Sequence, residues 1–435
     1  MQDVEDEPLL AGRAAGIGIG KATVTATVRV PGGTRKGRRQ PETREPGATR
    51  RELPAMADRL RCWQAERAGM EAAPDYRKPV YFLLEQEGPD CGLCQASQVK
   101  ALPGRPKTDK LDSARLAVIT GRGALHGSFV PPGDIRRLRA CTRCRRHLAR
   151  ERAAEKQRAE KLPEDARLEL SPVLPDIHGV SGRAMLEAVT AGERDPKALA
   201  RLARTRARRK TREPEEALGC AFLAPGRAWV LKAVLRRAGQ LTADIAEVTA
   251  RTGGLCRPWQ DKTARLCTVP GFPAVTAQDL IAETGTGMSV FPAPGHLASR
   301  ARQAPGASES AGRRKNKGAG RGNPCPGGTP GGASAAAART RSFLAAKFRR
   351  LVRHMPKGKA RRAIMRCQLA IVWHILSGDD AVCNDLGADY YERRTGISRR
   401  ARSHATAIGR PGCKVTTEPL NPQDGGGTLP AVGAG

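Results

Sequence analysis

Apolar residues occupy every second position between Val24 and Val30, with threonine and arginine between them. This period of two predicts a strand with one buried face, and the Pro-Gly-Gly sequence at 31–33 predicts the turn that ends it. A helix-like segment follows at 81–88, and another helix is expected to begin near Asp109, after the Gly/Pro turn at 103–106. Strands and helices mixed in this way predict an α/β domain.

Beyond residue 131 the pattern becomes helical. Residues 135–162 are rich in Arg, Glu, Ala and Lys, which favours a long exposed helix. Another helix is predicted from apolar residues at three- and four-residue steps, which form a stripe suited to pairing with a second helix. The stripe consists of Leu231, Leu235, Ala238, Leu241, Ile245 and Val248. A helical pattern returns at 343–376, and the glycine-rich end of the chain predicts a disordered tail.

The charge of the chain is strongly basic. It carries 76 Lys and Arg against 43 Asp and Glu, a formal net charge of +33 over 435 residues. An excess of this size goes beyond what solubility requires and predicts a polyanionic partner, with nucleic acid as the default. The excess is concentrated at 300–366, where 18 basic residues accompany a single acid, Glu309.

The sequence also gives an expectation for location. It contains no run of 18 apolar residues, and its acidic N-terminus lacks the apolar core of a signal peptide. We therefore expect no membrane association and an intracellular, cytoplasmic location, in which the 12 cysteines are thiols.

Two carboxylates three residues apart, Asp109 and Asp112, are the first candidate for chemistry. On a helix, residues at i and i+3 lie on one face. Two neighbouring carboxylates repel each other unless a cation lies between them, so the pair is a candidate divalent-metal site, which Glu71 would join. The alternative is an N-terminal helical turn whose acids complement the helix dipole.

Two further motifs suggest ligand binding less strongly. The glycine-rich segment 16–21 invites a phosphate-loop interpretation, but it has alanine where the first glycine should be and alanine directly after Lys21. Cys91-x-x-Cys94 and Cys141-x-x-Cys144 have the form of a four-thiolate zinc site. Their 46-residue gap is long, and the second pair falls in a predicted helix.

A serine among small residues, Ser310, precedes the basic run Arg313-Arg314-Lys315. A serine beside guanidinium groups is suited to attack a phosphate whose charge those groups offset. The alternative is a flexible basic loop that touches the DNA backbone. The residues alone also leave Ser308 open as the nucleophile.

Taken in order, several segments of the chain resemble the bacterial insertion-sequence transposases of the IS-one-ten type. These segments are Lys78-Pro79-Val80, residues 99–112, 128–132, 179–186, 192–196 and 269–271, His296-Leu297-Ala298 and Asp389-Tyr390-Tyr391. The resemblance covers roughly residues 15–410, and it is the shared order and spacing of the segments that makes it specific.

The resemblance implies a fold class and a domain plan. The expected architecture is an α/β RNase-H-like (RuvC-like) DEDD domain at 10–130, a helical or coiled-coil segment at 131–260, and a mainly α serine transposase domain at 261–395. Residues 396–435 would form a largely disordered tail.

It also implies a function for individual residues. Glu71, Asp109 and Asp112 would bind Mg²⁺ or Mn²⁺, Ser310 would be the nucleophile, and the basic residues would contact nucleic acid. Those basic residues are Arg313, Arg314, Lys315, Lys317 and Arg321. The implied activity is DNA cleavage and rejoining by a nucleoid-associated bacterial protein, with DNA, a guide RNA encoded by the element and further copies of the chain as partners.

The chain departs from the family pattern in a consistent way, which identifies it as a degenerate copy. The first-strand Asp of the DEDD set should fall at position 18, where this chain has Gly18. Arg77 and Cys144 stand where the family tends to have Trp and Tyr. Prolines also occupy helical or turn positions that usually avoid them, namely Pro163, Pro214, Pro273, Pro326 and Pro330. A proline inside a helix costs roughly 3 kcal/mol.

Three functions are therefore open from the sequence. The first is a DNA transposase impaired by the loss of a metal-binding carboxylate at Gly18. The second is a non-catalytic relic of a transposase that still binds DNA or RNA through its basic segments. The third is a zinc-stabilised nucleic-acid-binding protein.

Overall fold

The computed structural model describes residues 9–31, 39–72, 76–94, 108–124, 127–164, 174, 176–204, 223–304, 306–310, 312–317, 324–394 and 405–406. The chain divides into two compact units, with the boundary between Val130 and Pro131. Apart from residues 405–406, the predicted tail lies outside the described residues, and so do Arg321 and Pro214.

The first unit contains a mixed five-stranded sheet. Its strands are β1 (Ala14–Ile19), β2 (Val24–Pro31), β3 (Arg39–Arg44), β4 (Arg67–Glu71) and β5 (Asp90–Cys94). They lie in the order β3-β2-β1-β4-β5. β2 runs antiparallel to both β1 and β3, whereas β4 runs parallel to β1 and β5 parallel to β4.

The predicted strand at 22–30 is confirmed as β2, and the phosphate-loop interpretation is wrong. Gly16 to Ile19 belong to β1 and pair with β2 along their whole length. A phosphate loop needs free backbone N–H groups that curve around an anion. Here the glycines lie in the middle of a sheet, where those groups are committed to strand pairing.

The described residues of the first unit also form three helices. They are α1 (Leu53–Cys62), α2 (Arg77–Glu87) and α3 (Asp109–Gly121). One face of the sheet buries Ile17 and Met70 in a cluster to which α1 gives Leu60 and α2 gives Leu84, each at most 1% exposed. The other face is covered by α3, so the sheet has helices on both sides.

The second unit is built almost entirely from helices. They are α4 (Gly133–Glu164), α5 (Val180–Thr190), α6 (Pro196–Arg201), α7 (Pro225–Leu255), α8 (Gln260–Cys267), α9 (Ala274–Thr284), α10 (Pro294–Arg300), α11 (Pro324–Ala337), α12 (Phe343–Leu351), α13 (Lys357–Ser377) and α14 (Tyr390–Arg394). A two-stranded ribbon of β6 (Gly306–Ser310) and β7 (Arg313–Lys317) lies between α10 and α11 in the sequence.

The predicted long helices are confirmed as α4 and α7, which pack against each other. On α7 the first four members of the predicted stripe, from Leu231 to Leu241, are buried, and the last two are half-buried. Glu155 on α4 is also buried. One of its carboxylate oxygens lies 2.8 Å from a guanidinium nitrogen of Arg158 and 3.1 Å from a guanidinium nitrogen of Arg237. The contact between α4 and α7 therefore consists of apolar side chains together with a buried carboxylate whose charge is balanced by two arginines.

The prolines that marked the chain as degenerate fall at positions of unequal cost. Pro273 immediately precedes α9, and Pro326 lies in the first turn of α11, where the missing N–H has no helical partner anyway. Pro163 lies in the last turn of α4, and Pro330 lies in the interior of α11. Pro163 and Pro330 each remove the hydrogen bond that an N–H at their position would donate to the residue four before, and only Pro330 does so with a full helical turn on either side.

No helix in the described part of the chain combines the length and the apolar character needed to cross a bilayer.

Candidate active site

Helix α3 lies directly against β1, and the close approach depends on Gly16. A Cβ atom at this position would overlap the backbone oxygen of Ser113 and the backbone nitrogen of Ala117, and it would lie 2.7 Å from the Cβ of Leu116. The contact is fixed from the next strand by a buried hydrogen bond of 2.7 Å between the hydroxyls of Thr27 and Ser113. Glycine is therefore required at position 16, because α3 rests directly on the backbone of β1.

Two residues further along the same face, Gly18 has room for a side chain. A Cβ atom there would lie 3.6 Å from the backbone oxygen of Asp109 and 3.8 Å from the Cβ of Thr25, which are ordinary van der Waals distances. The position that the resemblance assigns to an aspartate thus lies beside the first turn of α3 and accepts a Cβ atom without displacing backbone.

Glu71 lies at the end of the neighbouring parallel strand. The register pairs Ile17 with Met70, so Gly18 and Glu71 are the next residues along their two strands. Ile17 and Met70 are both buried in the cluster on the opposite face. Because side chains alternate between faces along a strand, positions 18 and 71 share the face that α3 covers.

The two aspartates occupy the first turn of α3 as predicted. The hydroxyl oxygen of Thr108 accepts a hydrogen bond from the Leu111 N–H at 3.3 Å and caps the helix. Asp109 is exposed at this end, beside Gly18. Asp112 is half-buried and places a carboxylate oxygen 3.7 Å from a guanidinium nitrogen of Arg115. The alternative, acids that complement the helix dipole, describes this turn equally well.

We call the region where the ends of β1 and β4 meet the first turn of α3 the corner. The residues present at this corner do not fit a bound metal ion. Within the described residues, no three side chains among His, Cys, Asp and Glu come close enough together to hold one. The expectation that Glu71, Asp109 and Asp112 gather into a ready-made site is therefore not met. The position that would link β4 to α3 is occupied by Gly18, which has no side chain to offer a ligand.

A further carboxylate lies near the same corner and was missed by the sequence analysis. One oxygen of Glu45 lies 3.4 Å from the hydroxyl of Thr25, and the other lies 3.2 Å from the ammonium nitrogen of Lys110. Thr25 is the residue paired with Gly18 across β1 and β2. The pairing of β3 with β2 brings Glu45 here, and the sequence of β3 is Arg-Gln-Pro-Glu-Thr-Arg, with no apolar alternation to reveal a strand.

The four-thiolate zinc site is not supported by the geometry of its cysteines. Cys91 and Cys94 both lie in β5, and residues three apart on a strand point to opposite faces. Cys91 packs against the apolar cluster of the first unit, whereas Cys94 pairs with Glu71 across the strands. Burial is the main cause that raises the pKa of Cys91 to about 12 and that of Cys94 to about 11, which disfavours the thiolate that zinc requires.

The predicted nucleophile lies in a β-ribbon rather than in a loop. Ser310 ends β6, two residues follow, and Arg313 begins β7. Gly312 in this turn has a φ of 71°, a left-handed conformation that favours glycine. The register places Arg313 opposite Ser310 and Lys315 opposite Ser308.

Directly paired positions share one face of a ribbon, and alternate residues return to that face. Both candidate serines and three predicted basic residues, Arg313, Lys315 and Lys317, therefore occupy one face. Arg314 is paired with Glu309 and lies on the other face. Lys317 ends β7 opposite Gly306, on the same face as the serines.

Helix α9, which precedes α10 and the ribbon in the sequence, is anchored by buried ion pairs. Glu283 on α9 has a side chain only 2% exposed, and the guanidinium of Arg143 donates to both of its oxygens, at 2.8 and 2.9 Å. Arg139 donates to the backbone oxygens of Ala282 and Glu283 at 2.7 and 2.8 Å. These contacts hold α9 against α4.

A second ion pair lies one turn away along the same contact. Arg145 is buried, and its guanidinium lies 2.7 Å from a carboxylate oxygen of Asp279. Arg146 approaches the other oxygen of Asp279 at 3.4 Å. The polar residues of α4 that looked like an exposed helix face in the sequence thus include a buried docking surface for α9.

Comparisons with known protein families give two matches. Residues 15–164 match the family model described as Transposase, of the DEDD IS110 type. Residues 263–325 match the model described as Transposase IS116/IS110/IS902 family. A comparison with curated proteins gives no match. The first match contains the corner at Gly18. The second contains α9 and both strands of the β6–β7 ribbon, which we call the serine ribbon because it carries Ser308 and Ser310.

Proposed function

We propose that this chain, which belongs to the IS110-type transposases, exchanges DNA strands through a serine hydroxyl, and that the glycine at position 18 impairs this activity. Family membership supplies the substrate class, since transposases act on DNA. The basic composition agrees with it, because a net charge of +33 favours a polyanionic partner. The guide RNA and the homo-oligomer implied by the resemblance remain predictions.

An RNase-H-like, RuvC-like fold for residues 10–130 is part of this proposal. The mixed sheet supports it, since a hairpin of β1 and β2 continues into parallel strands β4 and β5, with helices on both faces. The coiled-coil segment at 131–260 and the serine transposase domain at 261–395 are likewise proposed, with the α4–α7 pair and the serine ribbon as their supporting features.

The observation that carries the proposal is the space at Gly18. The position lies beside Glu71 and Asp109, and a Cβ atom there meets nothing closer than 3.6 Å. A carboxylate at this point would add the ligand that the present residues lack. The side chains described at this corner are too few to hold a divalent ion on their own, so no step of the reaction is assigned to a metal in this chain.

The serine would act as follows. Its hydroxyl oxygen attacks the scissile phosphorus, one P–O bond to a deoxyribose breaks, and the departing oxygen takes up a proton. The broken strand then stays attached to the protein as a phosphate ester of serine, and an incoming DNA hydroxyl reverses the step. Arg313 and Lys315, which the strand register pairs with Ser310 and Ser308, would offset the phosphate charge.

The test is to restore the carboxylate. Gly18→Asp should raise strand exchange on a plasmid that carries the element, with its encoded RNA and Mg²⁺ or Mn²⁺, well above the low level expected of the unmodified protein. Gly18→Asn is the matched control, since it has nearly the same shape without the charge. A metal readout should agree, because Mn²⁺ should bind more tightly to Gly18→Asp than to Gly18→Asn in titrations followed by electron paramagnetic resonance.

Efficient exchange by the unmodified protein would contradict the impairment at Gly18. In the restored background, Ser310→Ala and Ser308→Ala identify the nucleophile, since only the loss of the attacking hydroxyl should abolish the covalent protein–DNA product.

A second function, a non-catalytic DNA- or RNA-binding relic, is favoured if Gly18→Asp gains neither exchange nor metal affinity while nucleic-acid binding persists. The zinc-stabilised alternative predicts stoichiometric zinc that is lost in Cys91→Ser. We expect no such zinc, because Cys91 and Cys94 lie on opposite faces of β5.

A further inference from the structure

The strongest unexplained feature is the charge on the hairpin of α12 and α13. Eight basic residues are exposed on these helices and the turn between them. They are Arg349, Arg350, Arg353, Lys357, Lys359, Arg361, Arg362 and Arg366. The sequence contains no acidic residue from 342 to 378, and among the described residues no carboxylate forms a salt bridge with any of the eight.

This arrangement is unfavourable to folding by itself. Lys357 and Lys359 lie in the first turn of α13, where cations oppose the helix dipole. Lys359, Arg362 and Arg366 follow at three- and four-residue steps and form one stripe of like charge. A surface that repels itself in this way is stabilised when a polyanion covers it.

The opposite side of the hairpin is a packed core, so the charged side is a fixed surface. Ile364 on α13 and Leu344 on α12 are buried in one cluster, with Phe348 and Leu351 packed against it. The stripe on α13 spans about 10 Å at the helical rise of 1.5 Å per residue. Rigidly spaced cations over that length match several successive phosphates of a duplex, which carries one charge per roughly 1.7 Å of axis.

The aromatic residues nearby argue for duplex over single-stranded nucleic acid. Single strands are usually held by exposed aromatic rings on which bases stack. Here Phe343 packs edge-on against Tyr390 and stacks on Tyr391, and Arg350 covers the Tyr391 ring at 4.7 Å from its centroid. The rings are half-buried and already occupied by these contacts.

We infer that the hairpin of α12 and α13 binds the phosphate backbone of duplex DNA, with Lys359, Arg362 and Arg366 as the central contacts. The inference rests on the proposed action on DNA. It assigns a binding surface that lies outside both family matches, which end at residues 164 and 325, and outside the basic run at 313–321.

The test compares two triple variants of the full chain. Lys359→Gln, Arg362→Gln and Arg366→Gln remove the stripe. Lys232→Gln, Arg236→Gln and Arg251→Gln remove the same charge from exposed positions on α7 and serve as the matched control. Affinity is measured for several unrelated DNA duplexes over a range of salt concentrations, and thermal melts establish that both variants fold.

The triple variant of Lys359, Arg362 and Arg366 should weaken DNA binding about equally for every duplex. It should also flatten the log–log salt dependence by about 0.9 for each phosphate that is no longer neutralised, or about 2.7 in all. The α7 variant should keep a slope close to that of the unmodified protein. Equal effects of the two variants would overturn the inference, because they would show that only bulk charge matters.

The remaining outcomes separate this inference from the proposed function. A larger loss for single-stranded DNA or a structured RNA than for duplexes overturns the choice of occupant. If the unmodified protein binds duplexes and the stripe variant keeps its slope, only the hairpin inference fails. If the unmodified protein binds no duplex at any salt concentration, the proposed function fails with it.

Discussion

The contact between α4 and α9 and the corner formed by β1, β4 and α3 are both built around carboxylates, but they handle charge differently. At the first, Glu283 is buried and receives two hydrogen bonds from Arg143. At the second, Glu71 and Asp109 approach a glycine where the resemblance expects a further acid. The helical contact is complete as it stands, whereas the corner keeps its shape and lacks one functional group.

The difference distinguishes a carboxylate that folding requires from one that only ligand binding requires. A buried charge without a partner is costly, so loss of one member of the α4–α9 network would destabilise the fold itself. A carboxylate at the open end of a strand contributes mainly to ligand binding, and its absence leaves packing undisturbed. A copy of the chain can therefore lose the second and still fold.

The largest expected effect comes from breaking the helical contact. Glu283→Gln removes the charge of the buried carboxylate that Arg143 and Arg139 both approach, and we expect a loss of about 3–5 kcal/mol in the free energy of unfolding. Urea unfolding followed by circular dichroism measures the change. Glu247→Gln on the exposed side of α7 is the control and should alter stability by less than about 0.5 kcal/mol. A similar small value for both would mean that the buried pair contributes little.

A smaller effect is expected from adding one methyl group to the corner. Gly16→Ala places a Cβ atom into the backbone of α3 and should cost about 1–3 kcal/mol through overpacking. Gly18→Ala is the same chemical change on the same strand and face, and it should stay within about 0.5 kcal/mol of the unmodified protein. Thermal melts of the two variants make the comparison. Equal destabilisation would show that position 18 is not open.

The smallest effect concerns the thiol beside Glu71. Burial first, and then the charge of Glu71, raise the pKa of Cys94 to about 11. Glu71→Gln should therefore lower the pKa of this thiol while leaving it above the ordinary 9.0. Peptide-resolved alkylation between pH 8 and 12 reports the shift, with the exposed Cys62 as the internal control. An unchanged pKa would place the Glu71 carboxylate away from the sulfur.

The raised pKa of the Cys94 thiol also determines whether its contribution to the free energy of unfolding rises or falls with pH. Its pKa is higher in the folded protein than the ordinary value, so the folded state holds the proton more tightly between pH 9 and about 11. Stability from this group is complete below pH 9 and is lost as the pH rises through about 11. The slope is at most about 1.4 kcal/mol per pH unit for one thiol.

The sequence predicted those elements whose pattern comes from burial on one face. The alternation in β2 and the apolar stripe on α7 are of this kind, and both are confirmed. β3 was missed because it is an edge strand of polar residues, whose place in the sheet comes from pairing with β2. The serine ribbon offers no apolar alternation either, so its register could not be deduced from residue types.

At the corner, sequence comparison could identify positions 18, 71, 109 and 112 but not their spatial relation. The parallel register of β1 and β4 and the capped turn of α3 bring the first three to one end of the sheet. Asp112 has Arg115 as a neighbour, and this pairing depends on how α3 presents its side chains. The prediction for Cys91 and Cys94 lacks support for a related reason, since a spacing of three means opposite faces on a strand and one face on a helix.

The close seat of α3 on Gly16 has a consequence for repair of the protein. Because the bare backbone at Gly16 already sets the distance between α3 and the sheet, position 18 can take a Cβ atom without moving either element. The packing of α3 on the sheet thus depends on Gly16, whereas the carboxylate that the resemblance expects belongs at position 18, two residues further along β1. If the proposed function holds, the single substitution Gly18→Asp would supply the missing carboxylate without a change in the packing of α3 on the sheet.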